Sequence, residues 1–241
     1  MIAQQQDSGY EIKNKLLTLP ADWMVNADTL ELAKKSLPLL EEFDSSEGQK
    51  TPQKTPLHGV LKEELNNVFT IPFLSDVYCK ILMDEIRNMQ SYGLFEPNPD
   101  EDELRQIPEV YLPEHAQEIE DALMQVVHAM GNPIYNALWN RSVNGGGIQI
   151  ANYNITQKKQ GAWHHDYSAD ITMVIPLNTG EYEGGGTEFI DGKVSPQENG
   201  TAVIFPSFTH LHRGLPIKSG DRYLLVFWLT FTEEDDNEQN G

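Results

Sequence analysis

The sequence predicts an α+β protein, with a β-sandwich or barrel in the C-terminal half and a helical layer supplied by the N-terminal half. Two observations carry this. From Gly145 onward, short β-branched and aromatic runs ("GGGIQIANYNI", "DITMVIPLN", "GTEFI", "GTAVIFPS", "DRYLLVFWLTF") are separated by the turn signals "NTGEYEGGG", "DGKVSPQENG" and "KSG". Several short strands at that spacing make a sandwich or barrel. Upstream, apolar residues recur instead at the three- and four-residue spacing of helices. A chain of 241 residues, 39% of them apolar, is long enough for one large domain or two small ones.

Taken in order, residues 1–60 read as an N-terminal helical and linker extension. "TLELAKKSLPLLEEF" (Thr29 to Phe43) has partial helical periodicity, expected to break at Pro38, and "DSSEGQKTPQKTPLHG" has linker composition. Residues 61–232 read as one domain, with its β core at about 145–231. A β run from Val68 to Ile71 leads through Pro72 to Ser75, a good helix N-cap. Val77, Ile81, Leu82, Glu85 and Met89 then mark one face of a helix. "EPNPDEDEL" is an acidic loop. A second helix, spaced by Ile119, Leu123, Val126, Val127 and Met130, is expected to stop at Gly131, with Pro133 just beyond. The tail, 233–241, is acidic and expected to be disordered.

Charge narrows the partners. With 37 acidic and 17 basic side chains the net charge is −20. Such a chain repels a phosphate backbone, so nucleic acid is an improbable partner, while a cationic substrate or peptide would be attracted. The one cysteine, Cys79, lies in an apolar run and reads as a buried thiol. "MIAQQQDSGY" has neither the basic nor the apolar region of a signal peptide, and no apolar run approaches the ~20 residues of a membrane span, so a soluble, cytoplasmic protein is expected. The oligomeric state is not encoded in any pattern seen.

The chemistry concentrates in the histidines. In "WHHDY", strand alternation puts His164 and Asp166 on one face and turns His165 to the other. An isolated His-x-Asp is short and frequent by chance, and by itself reads first as a hydrogen-bonded strand pair. A second cluster, "THLHRGLP", holds His210 and His212, again two apart, so alternation cannot choose between them. Two histidines and a carboxylate form the facial set that holds Fe(II) and leaves positions open. Arg222 opens the last β run, and arginine suits the far carboxylate of a dicarboxylate cosubstrate through its planar fork. "EGGGTEF" is no phosphate loop, since no Lys-Ser/Thr follows the glycines.

The assembled pattern resembles the iron- and 2-oxoglutarate-dependent oxygenases, in particular the catalytic domain of procollagen lysyl hydroxylases, with a sparser version in prolyl hydroxylases. The matching residues are "HHD" at 164–166, Leu177–Asn178, "YEGGG" at 182–186, Phe189, "THLHRGLP" at 209–216 and "GDRY" at 220–223, within roughly residues 147–229. The resemblance implies a double-stranded β-helix, or jelly roll, flanked by the N-terminal helices. It implies His164, Asp166 and His212 as metal ligands, the offset to Arg222 selecting His212 over His210, with His165 and His210 outside. It implies Arg222 as the ligand of the distal cosubstrate carboxylate. Tyr153, eleven residues before His164, matches a family position lining the cosubstrate pocket and Asn178 one near it, and each reads as readily as a core residue.

The cofactors so implied are Fe(II), 2-oxoglutarate as cosubstrate, O2 and, as reductant, ascorbate. The implied activity is hydroxylation of lysyl or prolyl side chains of a protein or peptide, with release of succinate and CO2. Two alternatives stand beside it: a small-molecule hydroxylase acting on a free amino acid, and a β-barrel binding module that has lost the reaction. A lidded pocket would favour the first; the complete ligand set with Arg222 weighs against the second. A hydrolytic zinc site with the same ligands leaves Arg222 unexplained.

Overall fold

A large antiparallel sheet divides the molecule, with helices against one face and two small sheets against the other. The computed structural model describes residues 9–20, 22–44, 54–97 and 107–232. The helices are Ala27–Asp44 (α1), Asp76–Ser91 (α2), Leu112–His115 (α3), Gln117–Val126 (α4) and Asn132–Trp139 (α5). The first strands are Lys62–Leu65 (β1), Val68–Pro72 (β2), Glu96–Pro97 (β3), Pro108–Tyr111 (β4), Val143–Asn154 (β5) and Ile171–Pro176 (β6). Then come Glu183–Gly184 (β7), Thr187–Phe189 (β8), Gly192–Val194 (β9), Thr201–Pro206 (β10), His212–Gly214 (β11), Ile217–Ser219 (β12) and Asp221–Phe231 (β13). The large sheet has eight strands in the order β1-β2-β10-β6-β13-β5-β4-β3, and the small sheets are β11-β8-β9 and β12-β7. This is a jelly roll carrying a helical layer.

Every β run expected from the sequence is a strand, and the large sheet's faces explain their near-continuous apolarity. Along β13, Tyr223, Leu225, Phe227 and Leu229 join the helices in one core, whereas Leu224 joins a second, smaller apolar cluster under the small sheets. The same alternation runs through β5 (Ile148 and Ile150 against Ala151 and Tyr153) and β10 (Ala202 and Ile204 against Val203 and Phe205). Both faces of the central strands are buried, so a period of two is hidden in hydropathy and visible only in which core each residue enters.

Three expectations are revised. Pro38 does not break the first helix but lies inside α1. Both it and Lys34, whose carbonyl loses its helical partner, lie on the exposed face of the helix. The second helix does not stop at Gly131. α4 passes through a π-helical segment, Val127–Gly131, directly into α5, and ends at Asn140 in the left-handed conformation. Pro133 follows the π-helical turn, in which the Asn132 N–H donates five residues back to the Val127 carbonyl. Gly131 instead packs closely on Tyr135, and a Cβ there would lie 3.0 Å from its ring. The N-terminal segment is not a loose extension: Leu17, Met24, Val25, Ala33 and Leu57 are buried in the helix-side core.

The buried carboxylate of Glu85 ties that segment down, accepting from the backbone N–H of Lys13 (3.1 Å) and Asn14 (3.2 Å) and from the Tyr10 hydroxyl (3.0 Å). Ser75 caps α2 as expected, accepting from the Tyr78 N–H at 3.1 Å. Most of the predicted linker (45–53), most of the acidic loop (98–104) and the tail (233–241) lie outside the described residues. No helix among the described residues is long and apolar enough to cross a membrane.

Candidate metal and cosubstrate site

Two backbone hydrogen bonds bring the distant histidines together. His164 N–H donates to the His212 carbonyl (2.9 Å) and His212 N–H to that of His164 (3.0 Å), an isolated antiparallel bridge. Residues 161–170 otherwise form a loop, so the strand alternation expected to align His164 with Asp166 does not operate there. The two side chains converge nonetheless. His164 Nε2 lies 3.6 Å from Asp166 Oδ1, and His212 Nε2 lies 3.6 Å from Asp166 Oδ2. Candidate ligand atoms of all three residues lie within 4.8 Å of one another.

The protonation states suit a cation. His164 Nδ1 lies 2.9 Å from the Ala162 carbonyl, and His212 Nδ1 lies 2.9 Å from the His210 carbonyl. A carbonyl only accepts, so each Nδ1 carries a proton and each Nε2 is the ring nitrogen turned toward Asp166. Burial pushes the His212 pKa down to about 4, and the neighbouring His164 adds to the shift while the Asp166 carboxylate opposes it. His212 is therefore neutral at neutral pH. Ligands ~2.1 Å from one ion at right angles stand ~3 Å apart, so the 3.6 Å spacings need only a small contraction to close on a metal.

Asp166 is held from behind by two hydroxyls that sequence reasoning did not single out. Thr172 Oγ1 donates to Asp166 Oδ2 at 2.5 Å, and Ser207 Oγ lies 2.8 Å from Thr172 Oγ1. Since the single Thr172 proton goes to the carboxylate, Ser207 must donate to Thr172. Both residues are fully buried. Thr172 stands on the site-side face of β6, and a polar residue in that register within an otherwise apolar strand is the signal that would have found it.

The other two histidines of the motifs face elsewhere. His165 Nδ1 lies 3.2 Å from the Tyr167 hydroxyl, and His210 Nε2 donates to the Asn66 carbonyl at 3.0 Å.

Arg222 is 3% exposed and pairs in register with Tyr153 across β13 and β5, its guanidinium carbon 5.4 Å from the Tyr153 ring centre. Its Nη1 donates to the Gly186 carbonyl at 3.2 Å, but its buried Nε has no partner. A buried guanidinium with an orphaned N–H and, among the described residues, no ion-pair partner is fit for an anionic ligand. Tyr153 belongs to the small apolar cluster that touches His212 through Phe205 and Phe189, with ring centres 4.7 and 5.9 Å away. One cluster thus borders both the histidines and Arg222. Asn178 binds β13 backbone beside Arg222. Its Nδ2 donates to the Asp221 carbonyl (2.8 Å) and its Oδ1 accepts from Tyr223 N–H (3.0 Å). Those contacts flank Arg222, so Asn178 fixes the strand that carries it.

Comparison with known proteins adds the following. Residues 148–230 match the family model described as the 2OG-Fe(II) oxygenase superfamily. The multifunctional procollagen lysine hydroxylase and glycosyltransferase LH3 of Rattus norvegicus is 28% identical over 186 residues, covering 70% of this chain and 24% of that protein. The chain thus spans about a quarter of the length of such relatives. A prolyl hydroxylase from Trichoplax adhaerens, solved with a hypoxia inducible factor oxygen degradation domain peptide fragment, superposes with a TM-score of 0.58 at 14% identity, covering 85% of this chain and 91% of that one. A prolyl-4-hydroxylase from Pseudomonas putida gives 0.54 at 19% identity, over 68% and 92%. At such identities the two structures speak to the fold.

Proposed function

Because residues 148–230 form a 2OG-Fe(II) oxygenase domain, we propose that the protein is an Fe(II)- and 2-oxoglutarate-dependent dioxygenase that hydroxylates lysyl or prolyl side chains of a protein or peptide, releasing succinate and CO2. The observation that carries this is the pairing of two converging imidazoles and an anchored carboxylate with a buried, half-satisfied Arg222 beside the same apolar cluster. When bound, the metal and cosubstrate supply the oxidation of an unactivated C–H bond.

The chain's own residues do the rest. His164, Asp166 and His212 would hold Fe(II), with the Nδ1–H···O=C bonds fixing both tautomers and Thr172 with Ser207 fixing the carboxylate. Arg222 would bind the distal carboxylate of 2-oxoglutarate, and Tyr153 would wall the pocket beside it. Phe189, Phe205 and Val203 would exclude water from the space between. Ascorbate would serve as the external reductant. A protein or peptide substrate is supported by the lysine hydroxylase relatives, and a cationic one by the net charge of −20.

The test is succinate formation by the Fe(II)-loaded protein with ascorbate, O2 and pooled Lys- and Pro-containing peptides. Peptide-stimulated succinate and a product 16 Da heavier, both lost in His212→Ala and Arg222→Ala, are the expected result. Peptide-independent turnover would move the substrate to small molecules. Failure to bind Fe(II) and 2-oxoglutarate would overturn the proposal.

A further inference from the structure

The pairing of the chain with β11 slips by one residue just ahead of His164. His164 and His212 exchange both backbone bonds, and in a regular antiparallel pair the next bond would join residues 162 and 214. Instead the Gly161 N–H donates to the Gly214 carbonyl at 3.0 Å. Ala162 and Trp163 together therefore stand opposite Arg213, and the chain bends at Trp163. Two residues against one make a β-bulge, which leaves a residue unpaired and re-aims its surroundings. Here the Ala162 carbonyl is turned off the pairing, and His164 Nδ1 lies 2.9 Å from it. The bulge thus supplies the bond that fixes the His164 ring. His212 differs, because its Nδ1 uses the His210 carbonyl, outside the bulge.

On the outer side of the bulge stands a set of side chains that the site has not yet used. Arg213 follows His212 on β11, and alternation turns it outward while His212 is buried. Its guanidinium carbon lies 4.7 Å from the centre of the Trp163 ring. Its Nε and Nη2 reach Glu188 Oε2 at 2.7 and 2.5 Å, and Lys193 Nζ reaches Glu188 Oε1 at 3.0 Å. Arg213, Glu188 and Lys193 face one another in register across β11, β8 and β9. An isolated surface ion pair contributes little. This one is different in that the Glu188 side chain is only 14% exposed and both its oxygens are engaged. Arg213 is pinned along one edge, which leaves its flat face to the indole. A guanidinium held in this way fixes the backbone that carries the ring.

We infer that Trp163 and Arg213, backed by Glu188, are positioning residues for the metal ligand His164. Their stack clips the bulge to β11 from the outer face, and the clipped bulge keeps the Ala162 carbonyl on His164 Nδ1. The backbone bridge to His212 sets where His164 stands, and the stack sets how its ring is turned. The consequence for metal binding rests on the function proposed above; the orientation of the ring does not.

The experiment compares the full-length protein with Trp163→Ala, Trp163→Phe and Arg213→Met. Mn(II) is titrated by calorimetry, and long-range nitrogen–proton NMR spectra of the metal-free protein report which nitrogen of each histidine ring carries the proton. Trp163→Ala should weaken Mn(II) binding by roughly 3- to 10-fold, the size of one cation–π contact acting through a ligand's partner, and should mix the His164 tautomers. Arg213→Met should do the same, and the double variant should lose hardly more than either single one. Trp163→Phe keeps a ring face for the guanidinium and should recover most of the affinity. His212 should keep its Nδ1–H tautomer throughout, since its carbonyl partner lies outside the bulge. Unchanged Mn(II) affinity with an unchanged His164 tautomer overturns the inference, whatever the melting temperature does. A loss of tautomer order at both histidines alike overturns it too, by showing general loosening. If wild type binds no Mn(II), the metal reading falls, and the His164 tautomer in the metal-free variants still decides whether the stack positions the ring.

Discussion

Replacing Thr172 by Val tests whether the metal site is positioned from behind. The substitution keeps the shape of the side chain and removes one hydroxyl, which donates to Asp166 at 2.5 Å and receives from Ser207 at 2.8 Å. Losing a hydrogen bond to a carboxylate costs about 1.5–3 kcal/mol, and the fully buried Ser207 hydroxyl is left without its acceptor. At about 1.4 kcal/mol per tenfold, that corresponds to a loss of roughly 10- to 100-fold in metal affinity, if the bond serves chiefly to hold Asp166 in the orientation a metal needs. The assay is titration of the metal-free protein with Mn(II) or Co(II), alongside a thermal melt. The melt should fall by about 2–4 °C per kcal/mol lost. Ser207→Ala removes only the donor to Thr172 and should cost less. In the double variant the two effects should fall short of additivity, because the network is already broken. Unchanged metal affinity beside a lowered melt would refute the reasoning, showing that the hydroxyl pair braces β6 against β10 and has no part in the site.

Other outcomes follow from the same contacts. Burial pushes the Cys79 thiol up to about 12 from an ordinary 9.0. The folded state therefore keeps a proton the unfolded chain releases, and stability should decline as pH rises from 9 toward 12. Cys79→Ala should flatten that decline, and the wild-type thiol should resist Ellman's reagent at pH 8 until the protein is unfolded. Glu85→Ala removes the acceptor of Lys13 N–H, Asn14 N–H and the Tyr10 hydroxyl. It should lower stability by about 2–4 kcal/mol and open residues 9–20 to limited proteolysis. An uncleaved segment would mean that Leu17 and Met24 suffice to hold it. Leu224→Ala and Leu225→Ala change neighbours on β13 that enter different cores. Both should cost about 2–5 kcal/mol of stability, but only Leu224→Ala should also weaken 2-oxoglutarate binding, measured by calorimetry.

The strands were legible because turn chemistry punctuates them: "NTGEYEGGG" and "KSG" delimit β6 through β13 whatever the packing. The helix ends were less so. Gly131 reads as a stop by composition, yet the helix runs on past it, and it packs closely on the Tyr135 ring. Pro38 misled because a proline's cost depends on whether the carbonyl it strands lies on the exposed face, and exposure is a tertiary property. The N-terminal segment looked peripheral because its contacts with α2 span more than 70 residues of chain. At the site, the residue types and offsets drew attention to His164, Asp166, His212 and Arg222, but strand alternation was the wrong reason for the first two. A backbone bridge between His164 and His212 brings them together, and it too is long-range. Thr172 was hidden by its own suitability for a strand.

The two faces of the large sheet suggest why the site tolerates so much polarity. The helix-side core takes Leu225, Phe227, Ile148, Ile150, Met173 and Ile204, all with no exposure. At about 1.5–3 kcal/mol for each such side chain fully buried, this layer dominates the hydrophobic stabilisation of the central strands. The opposite face of the same strands carries Thr172 and the Arg222–Tyr153 pair. There a buried guanidinium with an unpaired Nε and a three-member polar chain ending at Asp166 cost stability that the site face alone would struggle to offset. Because each strand is one rigid unit, packing on the helix side holds side chains on the site side in place. The jelly roll thus separates the surface that keeps the protein folded from the surface that binds, residue by residue along each strand. The N-terminal segment, clamped by Glu85 into the helix-side core, acts on the site through that same sheet, since its buried residues enter the core on the far side.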